Sequence, residues 1–159
     1  MDVLKEKGFV EGMSLVSDRL MRDGHDAQHY DITLTKKGFK VLDLPFYKND
    51  EYKDFNLKRF FFIYGRKNFL RADHAHKKCN QILIPISGEM VVEIISKKNL
   101  KKKYTLSKKN KKYLKVPKYN WIKIKFKDND GILLILCDYK YDKKEYIQNI
   151  KEFFNLRHK

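Results

Sequence analysis

The chain has 159 residues, of which 42% are hydrophobic and 14% aromatic, so it is long and apolar enough to form about one domain with a sizeable core. Its net charge of +16 suggests a nucleic-acid partner, but only 6 of its 36 basic residues are arginine and no nucleic-acid-binding motif is present. No apolar stretch reaches the ~20 residues of a membrane span, and no signal peptide is evident. We therefore expect a cytoplasmic protein with free thiols at Cys79 and Cys137 and with neither membrane nor nucleic-acid partners.

Residues 1–38 are predicted to form an N-terminal extension with one helix and one strand. Five apolar residues at rough helical spacing predict the helix, namely Phe9, Val10, Met13, Val16 and Leu20. The strand is predicted over residues 30–34.

Residues 39–159 are predicted to form one domain that is rich in strands. Turn-like breaks separate predicted strands at residues 40–44, 57–64, 81–87, 89–95, 102–106, 113–116, 122–126 and 132–137. Short strands at this spacing are typical of a sandwich or barrel. The lysine runs at 97–103 and 108–112 are interpreted as exposed hairpin tips.

The C-terminal segment is predicted to be helical from residue 143 to residue 156, with Asp142 as the N-cap. One apolar stripe supports this helix and consists of Tyr146, Ile147, Ile150, Phe153 and Phe154.

Two of the five histidines lie two residues apart, just before an apolar run. If this stretch is extended, His74 and His76 project to the same face, with Arg71 nearby. Two imidazoles and a guanidinium on one face can transfer protons and bind anions. The alternative is two solvated histidines at the edge of a loop.

The spacing from His74 through Gln81 to Gly88 resembles the first motif of the cupin fold. In metal-binding cupins the position of Gln81 is a glutamate ligand, and a second motif supplies a further histidine where this chain has Ile122. Two imidazoles and a neutral amide fall short of the usual ligand count for a divalent metal. We therefore predict an all-β, cupin-type double-stranded β-helix (a jelly-roll barrel) with a C-terminal helix, without metal or other cofactor.

A closer resemblance rests on residues 58–64, KRFFFIY, on Arg71-x-x-His74-Ala75-His76-Lys77, and on Gln81. Together they are similar to the dTDP-4-keto-6-deoxyglucose 3,4-ketoisomerases. The Pro117-x-x-x-Trp121 step and the closing run from Tyr141 to Phe153 are similar to that family as well, so the resemblance covers residues 57–154. It implies a cupin homodimer that makes precursors of 3-amino-3,6-dideoxy sugars for surface glycans such as lipopolysaccharide and S-layer glycans.

Two features depart from the family pattern. The family has glycine after the motif arginine, where this chain has Ala72 followed by Asp73, and alanine is disfavoured if that position needs a positive φ. The family also has a D-x-R-G segment near its N-terminus, whereas residues 48–56 contain neither arginine nor glycine.

Moving a ketone from C4 to C3 through an enediolate requires a base near both carbons, a proton relay between O3 and O4, and a donor for the oxyanion. The resemblance implies His76 as the carbon acid/base and His74 as the relay or oxyanion partner, with the order between them open. Arg71 would donate to the oxyanion or the pyrophosphate, and Gln81 would fix a histidine tautomer. The residues implied for substrate binding are Arg71, Tyr64, Arg59, Gln81, Lys77 and Trp121.

Other interpretations of these residues and of the protein stay open. Arg59 can be an exposed strand residue, and Tyr64 and Trp121 can belong to the core. The protein can be a related sugar-nucleotide epimerase, a metal-dependent cupin, a non-catalytic cupin that binds a sugar nucleotide, or a nucleic-acid-binding protein that uses its lysines. The C4 stereochemistry of the product and the base of the nucleotide are left open by the sequence.

Overall fold

The computed structural model describes residues 10–20, 26–34, 54–110 and 112–156, with side chains described from residue 54 onward. The predicted boundary between residues 38 and 39, the strand at 40–44 and residues 48–53 lie outside this part of the chain. The strands are β1 Val10–Leu20, β2 Asp26–Leu34, β3 Arg59–Tyr64, β4 Leu70–His76, β5 Gln81–Ser87, β6 Glu89–Ser96, β7 Lys101–Ser107, β8 Leu114–Val116, β9 Asn120–Phe126, β10 Ile132–Cys137 and β11 Tyr146–Ile147. Within the described residues, a 3-10 helix covers Lys143–Glu145 and an α-helix, α1, covers Ile150–Asn155.

These elements form two sheets with the orders β1-β2-β3-β10-β5-β8 and β11-β4-β9-β6-β7. The predicted strands between residues 57 and 137 are confirmed, with bounds that differ by at most two residues. Two antiparallel sheets and one short C-terminal helix confirm the predicted fold class. Within the described ranges, no helix has the length and apolarity needed to cross a membrane.

The chain divides into two compact units. The first comprises Met1–Phe61 and Cys137–Tyr141, and here β2 pairs with β1 and, through residues 29–31, with residues 59–61 of β3. The second comprises Phe62–Leu136 and Asp142–Lys159, and it contains the whole five-stranded sheet.

The prediction of a helix near the N-terminus is wrong, because Val10–Leu20 form strand β1. This strand pairs antiparallel with β2, from Val10 opposite Leu34 to Leu20 opposite Asp26. Pairing with the next strand of the chain satisfies the backbone hydrogen bonds and overrides the local apolar spacing. The strand predicted at 30–34 is confirmed as the second half of β2.

Side chains alternate in direction along β9, so the five-stranded sheet has two distinct faces. Ile122 and Ile124 are buried on one side, which we call the isoleucine face. Trp121 points to the other side, which we call the helix face because α1 packs there. The core cluster on the helix face consists of Ala75, Ile95, Trp121, Ile147 and Phe153, each at most 2% exposed.

The predicted C-terminal helix is only partly confirmed. Asp142 caps the 3-10 helix by accepting a hydrogen bond from the amide of Lys144, as predicted for a cap, but α1 begins only at Ile150. Between them, Tyr146 pairs with His76, and the next residue, Ile147, pairs with Ala75 as strand β11. Tyr146 and Ile147 therefore pair with β4 as a short strand, although their apolar spacing predicted a helix.

We predict that Phe153→Ala lowers the free energy of unfolding by about 3–5 kcal/mol, because the ring is fully buried on the helix face. The matched control is Phe154→Ala, since Phe154 is 38% exposed and its loss is expected to cost less than about 1 kcal/mol. Urea unfolding with an unchanged m-value measures both. Equal losses for the two variants would contradict the packing described for α1.

Candidate active site

Strand β4 brings three of the predicted site residues to the isoleucine face. Arg71 lies opposite Ile124, and His74 lies opposite Ile122. The two isoleucines are two residues apart on β9 and share a face, so their cross-strand partners share it too. His76 follows two residues after His74 and projects the same way.

The two histidines contact each other directly. Their Nε2 atoms are 3.1 Å apart, and the two rings meet nearly edge to face with centroids 4.8 Å apart. At this distance one Nε2 donates its proton and the other accepts it. His76 is only 3% exposed, so the interpretation as two solvated loop histidines is wrong.

Glu145 is a site residue that the sequence analysis missed. Its Oε1 accepts a hydrogen bond from Nδ1 of His76, and its Oε2 accepts from the backbone amides of Lys77 and Lys78, both at 3.2 Å. The carboxylate is 2% exposed, and burial of a charged group requires such partners. Because a carboxylate can only accept, the proton of neutral His76 lies on Nδ1, and Nε2 presents its lone pair to His74.

Tyr146 is a second missed residue, and it borders both imidazoles. Its ring centroid lies 4.4 Å from that of His76 and 5.0 Å from that of His74. The prediction of a helix over residues 143–156 missed both residues, because it placed Glu145 and Tyr146 in a helix instead of beside β4. The available signal was their position inside the closing run that resembles the family.

Arg71 is buried on the same sheet, at 3% exposure, and its Nη2 donates to the backbone carbonyl of Tyr64 at 3.0 Å. The side chain of Tyr64 is 56% exposed, so this tyrosine is not a core residue. Lys77 places its Nζ 3.4 Å from the carbonyl of Lys144. Gln81 is buried at the start of β5, where it pairs with Val116.

Two further predicted residues occupy packed positions. Arg59 belongs to the first unit and is fully buried, so the alternative of an exposed strand residue is wrong. Its Nη2 donates to the Sγ atom of Cys137 at 3.3 Å, and its guanidinium lies 5.5 Å from the ring centroids of Phe61 and Tyr141. Trp121 is packed on the helix face, opposite to the histidines, at 2% exposure. Substrate binding by Arg59 and Trp121 stays a prediction.

The backbone between Arg71 and His74 is strained. Ala72 has φ 66° and Asp73 has φ 58°, both in the left-handed region. This conformation costs roughly 1–2 kcal/mol per residue with a side chain, and aspartate tolerates it better than alanine. Ala72 therefore carries the strain that the family's glycine at this position would avoid.

One group of side chains in the described part of the chain has the donor set for a metal ion. Suitable atoms of His76, Cys79 and Glu145 all lie within 4.8 Å of one another, and all three residues are buried. Imidazole, thiolate and carboxylate are ligands that Zn²⁺ accepts. Both cysteines are free, as predicted, and the expectation of a metal-free site stays a prediction.

The comparisons with known proteins agree with the predicted resemblance. The chain is similar to WlaRA, a TDP-fucose-3,4-ketoisomerase from Campylobacter jejuni, at 28% identity over 92% of this chain and 95% of that chain, with a TM-score of 0.61. It is similar to WlaRB, a TDP-quinovose 3,4-ketoisomerase from the same organism, at 26% identity over 92% and 99% of the two chains, with a TM-score of 0.59. QdtA from Thermoanaerobacterium thermosaccharolyticum, a sugar 3,4-ketoisomerase solved in complex with TDP, shares the fold at 21% identity over 92% and 93% of the two chains, with a TM-score of 0.60. No curated protein sequence matches the chain significantly.

A family model described as "FdtA: WxcM-like, C-terminal" matches residues 27–158, which is most of the chain. Together with the two Campylobacter jejuni enzymes, this match confirms the family resemblance found in the sequence and the predicted class of enzyme, a sugar-nucleotide 3,4-ketoisomerase. The chain therefore belongs to the FdtA family of WxcM-like, C-terminal domains.

Proposed function

We propose that this protein is a metal-free 3,4-ketoisomerase that acts on a dTDP-linked 4-keto-6-deoxyhexose through an enediolate. The similarity to two Campylobacter jejuni TDP-sugar 3,4-ketoisomerases supports both the reaction and the nucleotide sugar. The observation that carries the proposal is the hydrogen-bonded chain from Glu145 through His76 to His74 on the isoleucine face. The Glu145 carboxylate contacts Nδ1 of His76, and the second imidazole contacts Nε2, so the three side chains can act as an acid–base relay.

In the proposed reaction, Nε2 of His76 takes the proton from C3 of the sugar, and the electrons of that C–H bond flow to O4. Glu145 stabilises the imidazolium that forms, because its carboxylate already accepts the Nδ1 proton. His76 then returns the proton to C4. His74 donates its Nε2 proton to O4 and accepts the proton of O3, which leaves the ketone at C3.

The enediolate carries negative charge that the site must stabilise. Arg71 supplies a buried cation on the face that bears both histidines, and its hydrogen bond to the carbonyl of Tyr64 restricts its movement. A fixed positive charge in a buried site stabilises an oxyanion more than a mobile one in water does. We assign Arg71 this role and retain the pyrophosphate as its alternative partner.

We further propose that the enzyme is a cytoplasmic homodimer that supplies precursors of 3-amino-3,6-dideoxy sugars for surface glycans such as lipopolysaccharide and S-layer glycans. Strands β7 and β11 form the two edges of the five-stranded sheet, and exposed edges favour coverage by a partner. A dTDP-4-keto-6-deoxyglucose molecule or a close analogue is the proposed substrate.

Incubation with dTDP-4-keto-6-deoxyglucose in D₂O is expected to place deuterium at a ring carbon and to yield the 3-keto isomer, both visible by NMR. His76→Ala should lower kcat by about 10²–10⁴-fold, because it removes the carbon acid/base. Lys125→Ala is the control, since Lys125 is exposed on the helix-face side of β9. A decrease below about tenfold for His76→Ala would remove this residue from the assigned role.

Glu145→Gln is expected to lower kcat by about 10²-fold or more with a smaller change in KM, because the amide cannot stabilise the imidazolium and can enforce the wrong His76 tautomer. Glu152→Gln, an exposed acidic residue on α1, serves as the matched control. Initial rates by NMR measure both variants. Equal rates for wild type and Glu145→Gln would exclude the carboxylate from the mechanism.

We expect elemental analysis of the purified protein to find no stoichiometric iron, manganese, nickel or zinc. The reason is that an ion bound by these atoms would have to displace a proton and break the hydrogen bond between His76 and Glu145. The contrary result is one equivalent of metal that survives dialysis and is lost in Cys79→Ser.

A further inference from the structure

Strand β4 contains a bulge between Arg71 and His74. These residues lie opposite Ile124 and Ile122 of β9, and the register shifts between Ala72 and His74. Arg71 and His74 are three positions apart on β4, whereas their partners are two positions apart on β9. Strand β4 therefore contains one extra residue, which is a β-bulge. The two residues within the bulge, Ala72 and Asp73, both have positive φ.

The bulge determines which face Arg71 occupies. In a regular strand, residues separated by three positions point to opposite faces. A regular β4 would therefore place Arg71 on the helix face while His74 and His76 stayed on the isoleucine face. The extra residue reverses this alternation and brings the guanidinium to the side of the two imidazoles.

One specific hydrogen bond holds the strained bulge in place. The indole N–H of Trp121 donates to Oδ1 of Asp73 at 3.0 Å. The same carboxylate oxygen lies 3.7 Å from Nζ of Lys123, but both of those side chains are about one-third exposed, which weakens that ion pair.

Trp121 is a rigid anchor for this contact. It is 2% exposed, and its ring centroid lies 5.7 Å from that of Phe153 of α1. Ala75 and Ile147 complete its surroundings in the cluster on the helix face. The position of Asp73 is thus fixed by core packing on the face opposite to the histidines.

We propose that Asp73 and Trp121 are positioning residues. Their hydrogen bond joins β4 to β9 at the bulge and sets Arg71 and His74 in register for acid–base chemistry. This assignment does not require either side chain to contact the substrate. The kinetic part of the inference rests on the proposed ketoisomerase function, whereas the structural part concerns the imidazoles alone.

The test compares variants of Asp73 by two independent readouts, kcat and KM with the dTDP-4-keto sugar and the ¹⁵N resonances of the histidine Nε2 atoms. Asp73→Ala should lower kcat at least about tenfold with little change in KM, since a misplacement of about 1 Å can cost about 10²-fold. It should also shift the Nε2 resonances. Asp73→Asn keeps the acceptor and the tolerance of positive φ, so it should retain the wild-type spectrum and rate.

Trp121→Phe keeps an aromatic ring and removes the donor, so it should shift the same resonances as Asp73→Ala, and it carries the test if Asp73→Ala does not fold. Lys123→Ala is the matched control, because it removes only the longer contact to Asp73, and it should change neither readout. Ala72→Gly should raise the urea midpoint and leave the resonances unchanged, since glycine accepts positive φ without strain.

Unchanged Nε2 resonances in folded Asp73→Ala or Trp121→Phe would overturn the inference, as would equal shifts in Lys123→Ala. A lower urea midpoint in Ala72→Gly would also overturn it. If wild type isomerises no dTDP-4-keto sugar, the proposed function fails, and the imidazole spectra still decide whether Asp73 and Trp121 position His74.

Discussion

The arrangement of the second unit depends most on the hydrogen bonds of the buried Glu145 carboxylate. An ionised carboxylate that leaves water without partners costs several kcal/mol, so the segment that carries it must stay where donors are available. Those donors are Nδ1 of His76 and two successive backbone amides at the end of β4. The two-residue strand β11 follows directly after Glu145 and pairs with the same part of β4. A short C-terminal segment with little secondary structure of its own is thereby fixed beside the histidines.

Neighbouring residues of one strand point to opposite faces of the sheet, so the candidate site and the packed core lie on different faces. Tyr146 borders the imidazoles, whereas its neighbour Ile147 lies in the cluster under α1. Likewise, Ala75 packs on the helix face, while the histidines before and after it project to the isoleucine face. Because each strand contributes side chains to both faces, we expect a change in the packing of α1 to shift the backbone that carries the two histidines. The stability of the core and the geometry of the site are therefore coupled through the sheet itself.

The sequence predicted well those features that depend on neighbouring residues. Strands 81–87 and 132–137 have the predicted bounds, since turn residues delimit them locally, and the shared face of His74 and His76 follows from the two-residue period. Strand β1 was not predicted because its apolar spacing fits a helix and only pairing with β2 decides the outcome. Glu145 is 69 residues from His76, and no local pattern connects residues at that separation. The face that Arg71 occupies depends on the bulge in β4. The sequence indicated an unusual backbone there only through Ala72, which stands where the family has glycine.

The proposed acid–base chemistry and the binding of a cation require the same side chains. The relay requires a proton on Nδ1 of His76 and a lone pair on its Nε2, with Glu145 as acceptor. A cation held by His76, Cys79 and Glu145 would replace that proton by a metal ion and would take the carboxylate away from the imidazole. His76 would then lose the partner that stabilises its protonated form, and the transfer of a proton from carbon would lose its base. Two backbone amides directed at Glu145 favour the relay, because they hold the carboxylate in place beside His76 without requiring an ion to neutralise it.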